Sequence, residues 1–151
     1  FSYRRQIRPS AVDGVLTLDM PPEEGELFRG AFSAAGIDTI FLLSPTTTVE
    51  RIRRAASLGG GFLYGISRLG VTGVRDSVDA SARELATRVK QETAMPLALG
   101  FGISRPEHVR AIGEFADAAV VGSALVNVIA EHGQQPGLMD EVERYVRWLR
   151  N

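Results

Sequence analysis

The chain has 151 residues, 44% of them hydrophobic and 23% charged, with a net charge of −1 at pH 7, a balance that suits one globular domain with a sizeable core. No global field favours nucleic acid and no basic stripe is interleaved with aromatics; no apolar run approaches the length of a membrane span, and no signal-peptide pattern appears, so a cytoplasmic location is expected. The absence of cysteine excludes a disulfide framework and thiolate metal sites.

The first residues carry the one local basic cluster, Arg4, Arg5 and Arg8, which reads as a solvated arm. The chain begins with Phe1 rather than Met, which implies processing or a piece of something longer. Residues 14–18, a run of Val, Leu and Thr after Gly14, read as a buried strand ended by Asp19-Met20-Pro21-Pro22. Proline suits a first helical turn, and Glu23 and Glu24 suit the positive end of a helix dipole. That helix places Leu27, Phe28, Ala31, Phe32 and Ala35 on one face and stops at Gly36. Ile40-Phe41-Leu42-Leu43 reads as the next strand. Thr47-Thr48-Val49-Glu50 then matches a capping box opening a helix that buries Val49, Ile52 and Ala56 and ends in Gly59-Gly60-Gly61.

Residues 62–66 read as a third strand, followed by a glycine-bearing loop, Ser67-Arg68-Leu69-Gly70-Val71-Thr72-Gly73. Ser81-Ala82-Arg83-Glu84 is a second capping box, before a helix through Leu85 and Val89. Leu97-Ala98-Leu99 is the fourth strand and Ser104-Arg105-Pro106-Glu107 a third capping box, with Val109, Ile112 and Phe115 facing inward. Residues 118–121 form the fifth strand. A short helix from Ser123 to about Glu131 follows, then an amphipathic one carrying Leu138, Val142, Tyr145, Val146 and Leu149. The only histidines, His108 and His132, lack ligand-spaced partners, so no metal site is expected.

Apolar strands alternating with helices define a parallel sheet covered by helices. An open doubly wound sheet competes with consecutive units of a (β/α)₈ barrel. The extra short helix at Ser123 favours the barrel, because such barrels often hold a phosphate between the loops after strands seven and eight and the N-terminus of a short added helix. The fourth and fifth strands both run into glycine, at Gly100-Phe101-Gly102 and Gly122-Ser123. Glycine leaves the peptide N–H open to close approach, and a helix start adds unpaired amides. Two such ends side by side make a phosphate cup. A tight turn plus a helix cap is the plainer account of the same glycines.

In order, Asp13-Gly14-Val15-Leu16 through Asp19-Met20-Pro21-Pro22-Glu23-Glu24, Ile40-Phe41-Leu42-Leu43-Ser44-Pro45-Thr46-Thr47, Gly61-Phe62-Leu63-Tyr64, Gly70-Val71-Thr72-Gly73, Gly100-Phe101-Gly102-Ile103-Ser104 and Val121-Gly122-Ser123-Ala124 make the chain similar to the tryptophan synthase alpha chain family. The resemblance runs from about Val12 to the C-terminus, with residues 1–11 an atypical arm of the same single domain. It implies a TIM barrel, here a partial one of about five parallel strands with covering helices. It implies a lyase that cleaves indole-3-glycerol phosphate to indole and glyceraldehyde 3-phosphate, with no cofactor of its own. It further implies a pyridoxal-phosphate-dependent beta chain as the partner that takes the indole.

Carried over by position, Gly73, Gly102, Gly122 and Ser123 line the substrate phosphate, Phe101 sits beside the substrate, Tyr64 points into the barrel, and Thr72 lies in a loop closing over the substrate. Tyr64 also fits a plain core aromatic, and Thr72 a turn residue. The resemblance places the catalytic Glu and Asp upstream of anything in these residues, so the N-terminal half is expected to be deleted or abnormal and the chain inactive alone. Asp19, at a strand end, suits an N-cap better than a replacement acid. A non-catalytic phosphate-binding half-barrel or interaction module is the alternative.

Overall fold

The computed structural model describes residues 12–18, 20–66, 80–100 and 102–151. Within them, strands and helices alternate: β1 (Gly14–Leu16), α1 (Gly25–Ser33), β2 (Asp38–Ile40), β3 (Leu42–Leu43), α2 (Val49–Leu58), β4 (Leu63–Ile66), α3 (Ala80–Glu92), β5 (Leu97–Gly100), α4 (Pro106–Gly113), β6 (Ala118–Val120), α5 (Ser123–His132) and α6 (Leu138–Leu149). Every strand pairing is parallel. β1 pairs with β2, and β3, β4, β5 and β6 lie side by side in chain order. The expected strand over 40–43 is broken at Phe41 into β2 and β3. Phe41 bridges the two pieces, its carbonyl accepting from the Tyr64 N–H at 3.0 Å. A doubly wound sheet reverses its strand order at a switch point; this one never reverses. The consecutive order is that of a barrel wall, as the sequence led us to expect.

The strands sort their side chains by the two-residue period of the pleat. Leu43, Leu63, Leu97 and Leu99, all fully buried, point outward to the helices and pack with Phe41, Ile52, Leu85, Val89 and Ile112. Burying each such side chain is worth about 1.5–3 kcal/mol, so this layer between sheet and helices is the main source of stability. The other face carries Tyr64, Gly100 and Val120 together, since a Cβ on Gly100 would meet both Tyr64 and Val120. β1 departs from the expected buried strand: it ends at Leu16, which is 36% exposed, and Leu18 beyond it is 71% exposed. It is an edge strand among the described residues, paired with β2 alone.

Helix ends follow local chemistry, with shifts from expectation. Gly36 terminates α1 at φ +70°. Its N–H reaches the Ser33 carbonyl at 3.0 Å and the Ile37 N–H reaches that of Phe32 at 3.0 Å, the paired bonds of a Schellman end. Phe28, expected to face inward, is exposed and stacks on Phe32 with ring centroids 6.4 Å apart. The residue capping α2 is Thr48, whose hydroxyl accepts from the Arg51 N–H at 3.4 Å. Thr47 is instead committed to the preceding turn, accepting from the Ser44 N–H at 2.8 Å. α3 is described from Ala80, so Ser81 lies inside it. No described helix is long and apolar enough to cross a membrane.

Candidate functional site

The carboxyl ends of β4, β5 and β6 and the start of α5 converge on a cleft of about 430 Å³. Tyr64, Gly102, Gly122 and Ser123, all singled out from the sequence, line it with Ile103, Ser104, Val120, Ala124 and Asn127. Thr72, Gly73, Phe101 and Asp19 lie outside the described residues.

Gly102 has φ +79°, a left-handed conformation that costs an L-residue roughly 1–2 kcal/mol. Glycine is therefore required for the turn that swings the chain from β5 toward α4. Ile103 anchors that turn, only 2% exposed. On the other side of the cleft Gly122 is the N-cap of α5 and offers no side chain to its first amides. The Leu125 and Val126 N–H groups bond back to the Gly122 carbonyl at 2.9 and 3.1 Å, while Ser123 and Ala124 border the cleft. Amides at a helix start and the dipole behind them favour an anion. Gly100 serves a different need: a Cβ there would collide with the Tyr64 hydroxyl and come within 2.6 Å of Tyr64 Cζ. Its bareness lets the tyrosine lie across β5. Partial burial raises the Tyr64 hydroxyl above the ordinary tyrosine range, so at neutral pH it is a hydrogen-bonding group and not a base.

Asn127 in the lining, and His108 and Tyr145 behind it, escaped the sequence reasoning. Asn127 lies one turn beyond Ser123, and that i, i+4 spacing was the available signal. The Ser104 backbone is held at both polar atoms. Its N–H donates to His108 Nδ1 at 3.3 Å, and its carbonyl accepts from the Tyr145 hydroxyl at 3.0 Å. The expected capping box had Glu107 reaching back; the N-cap of α4 is Arg105, and the side chain that reaches back is His108, in the third helical position. Burial again raises Tyr145 above its ordinary range.

A second cleft, about 300 Å³, opens where β1 and β3 end, with Met20, Leu42, Ser44 and Thr47 in its wall. Behind it Arg88 of α3 donates to the Pro45 and Thr47 carbonyls at 2.5 and 2.6 Å, fixing the loop after β3. Among the described residues no cluster of three His, Asp or Glu side chains gathers to hold a metal ion.

Consecutive parallel βα units, with a glycine-lined cleft at the strands' carboxyl ends beside a short added helix, define part of a (β/α)₈ barrel wall. The family profile described as tryptophan synthase alpha chain matches residues 2–148. The alpha chain of Opitutus terrae is 44% identical over 135 residues, spanning 89% of this chain and 51% of that one. That of Nitrosococcus oceani is 41% identical over 152 residues, 99% of this chain and 55% of that one. Among solved structures, a tryptophan synthase α2β2 complex from Pyrococcus furiosus is similar, with a TM-score of 0.82 at 34% identity, covering 97% of this chain and 58% of that one. The chain belongs to the tryptophan synthase alpha chain family. It spans about half the length of the curated relatives it matches.

Proposed function

We propose that this chain supplies the phosphate-holding side of a tryptophan synthase alpha active site, the lyase that cleaves indole-3-glycerol phosphate to indole and glyceraldehyde 3-phosphate in L-tryptophan biosynthesis. The observation that carries the reading is the convergence of Gly102, Gly122 and Ser123 on one cleft at the start of α5. Backbone amides and a hydroxyl hold a dianion there without a basic side chain. Gly73 joins them in this reading, Phe101 lies against the substrate, and Thr72 belongs to the loop that closes over it.

The retro-aldol step breaks the bond between the indole ring carbon and the glycerol chain. One group must protonate that ring carbon while another takes the proton of the glycerol hydroxyl. Among the described residues the cleft lining carries no carboxylate, imidazole or ammonium group, and Tyr64 keeps its proton. In this reading the acid and base are the Glu and Asp that the family resemblance places upstream of these residues. On this reading the chain alone binds the phosphate end and does not turn over. The proposed partner is a beta chain, which the family resemblance makes pyridoxal-phosphate-dependent; the similar structure from Pyrococcus furiosus is an α2β2 complex, and this chain is proposed to need no cofactor itself. A second reading is a phosphate-binding half-barrel without catalysis, which the glycine and serine lining of the cleft also fits.

Calorimetric titration of the 151-residue chain with inorganic phosphate and glyceraldehyde 3-phosphate, and indole release with and without a beta chain, test both. Saturable phosphate binding is expected, weakened about tenfold by Ser123→Ala, the size of one lost hydrogen bond to a charged group, and by a similar factor in Gly102→Ala, which strains the left-handed turn. Absence of binding overturns the phosphate reading, and robust indole release by the isolated chain overturns the assignment of catalysis elsewhere.

A further inference from the structure

The structure assigns His108 and Tyr145 as positioning residues that pre-set the anion-binding loop after β5, an inference that rests on the phosphate reading of the cleft. A loop built around a glycine at φ +79° is conformationally permissive, and its amides face one ligand only if something holds them. Three contacts do so here. Ile103 is 2% exposed and packs into the core. His108 Nδ1 accepts from the Ser104 N–H, and the Tyr145 hydroxyl, 41 residues further along the chain, donates to the Ser104 carbonyl.

Both hydrogen bonds therefore close on a residue that lines the cleft. The Ser104 N–H is accepted by the His108 Nδ1 lone pair, which leaves Nε2 as the ring's donor. His108 is only 7% exposed, which shelters that bond from water. With the Ser104 N–H occupied, Gly102 and Ile103, which also line the cleft, are the described residues of the loop whose amides this inference assigns to an anion. Freezing them before the ligand arrives removes an ordering cost from binding. Neither residue is catalytic: both act through Ser104.

The test uses the whole 151-residue chain as wild type, His108→Leu, His108→Gln and Tyr145→Phe, with two readouts. The first is the Kd for inorganic phosphate by calorimetry; the second is hydrogen exchange of the Ser104 amide by NMR without ligand. His108→Leu and Tyr145→Phe are each expected to raise Kd about fivefold to tenfold, and His108→Leu to speed Ser104 exchange by a similar factor, the range of one net hydrogen bond. In His108→Gln the side-chain carbonyl accepts the same N–H, so both readouts return to within about twofold of wild type. A His108→Gln chain as impaired as His108→Leu would mean that the imidazole merely fills space. Unchanged Ser104 exchange and unchanged Kd in His108→Leu would overturn the assignment. If His108→Leu does not fold, Tyr145→Phe, which loses only a hydroxyl, decides by the same Kd. If the wild type binds no phosphate, the phosphate reading fails, and the exchange rates still decide whether the loop is held as described.

Discussion

Gly100→Ala isolates the fit between β4 and β5 on which the cleft wall rests. The added Cβ would collide with the Tyr64 hydroxyl, lie 2.6 Å from Tyr64 Cζ and lie 3.2 Å from Val120 Cβ. Gly100 has no positive φ, so alanine adopts its backbone without strain and gains about 0.4–1 kcal/mol by restricting the unfolded chain. Overpacking costs about 1–3 kcal/mol. The steric term wins, leaving a net loss of about 0.5–2 kcal/mol, or roughly 0.5 M in the urea midpoint for a domain of this size. Tyr64→Leu removes Cζ and the hydroxyl while keeping an apolar side chain on the same face. In that background Gly100→Ala meets only Val120 and is expected to be near neutral, giving a coupling of about 1–2 kcal/mol in a double-mutant cycle. Urea unfolding of the four chains, with m unchanged, measures it. Equal losses in the two backgrounds, within about 0.5 kcal/mol, would refute the placement of Tyr64 across Gly100.

Arg88→Met keeps the aliphatic stem but removes both bonds to the Pro45 and Thr47 carbonyls. A loss of about 2 kcal/mol is expected by urea unfolding, since bonds from a charged donor are the stronger kind but these carbonyls can turn to water. Thr48→Ala removes the cap of α2 and is expected to lower stability by about 1 kcal/mol, whereas Thr47→Ala, by leaving the cap intact, leaves the α2 end unchanged by amide exchange. The Glu50 carboxyl sits below the usual carboxylate range, first because it accepts from its own backbone N–H and then from the Thr48 hydroxyl. A folded value below the unfolded one means a contribution complete above the unfolded value, near about 4.3, and lost as pH falls through the folded one. The urea midpoint is therefore expected to drop on acidification from about pH 5 to 3, and to drop less steeply in Glu50→Gln.

The legible parts of this fold are those set by short-range rules. Leu97-Ala98-Leu99 between two turn signals had one reading, and the structure buries all three. Gly36 as a helix stop and the short helix from Ser123 needed only local chemistry, and both stand where expected. The errors are also local, but each was decided by a competing partner. Thr47 and Thr48 are both competent caps, and what separates them is that Ser44 claims the Thr47 hydroxyl. Glu107 and His108 both follow a plausible cap, and burial of the imidazole under the α4 end favours it over the exposed carboxylate. The strand over 40–43 divides at Phe41, between a piece paired with β1 and a piece paired with β4, and no pattern of apolar residues records that.

The site divides along the same line. Gly102, Gly122 and Ser123 could be placed at the cleft because residue type marks such positions: a missing Cβ at a strand end, a hydroxyl at a helix start. Tyr145 could not. Nothing about a tyrosine on an amphipathic helix says that its hydroxyl will reach a carbonyl 41 residues back, and its helical spacing made it a core residue by every local rule. It is half-buried: its ring centroid lies 5.7 Å from that of the exposed Trp148, and its hydroxyl donates to the Ser104 carbonyl. An amphipathic side chain at the boundary of a core is where stability and positioning are supplied by the same atoms. That is why Tyr145→Phe, which preserves the packing and deletes only the bond, separates the two roles where a change to alanine would confuse them.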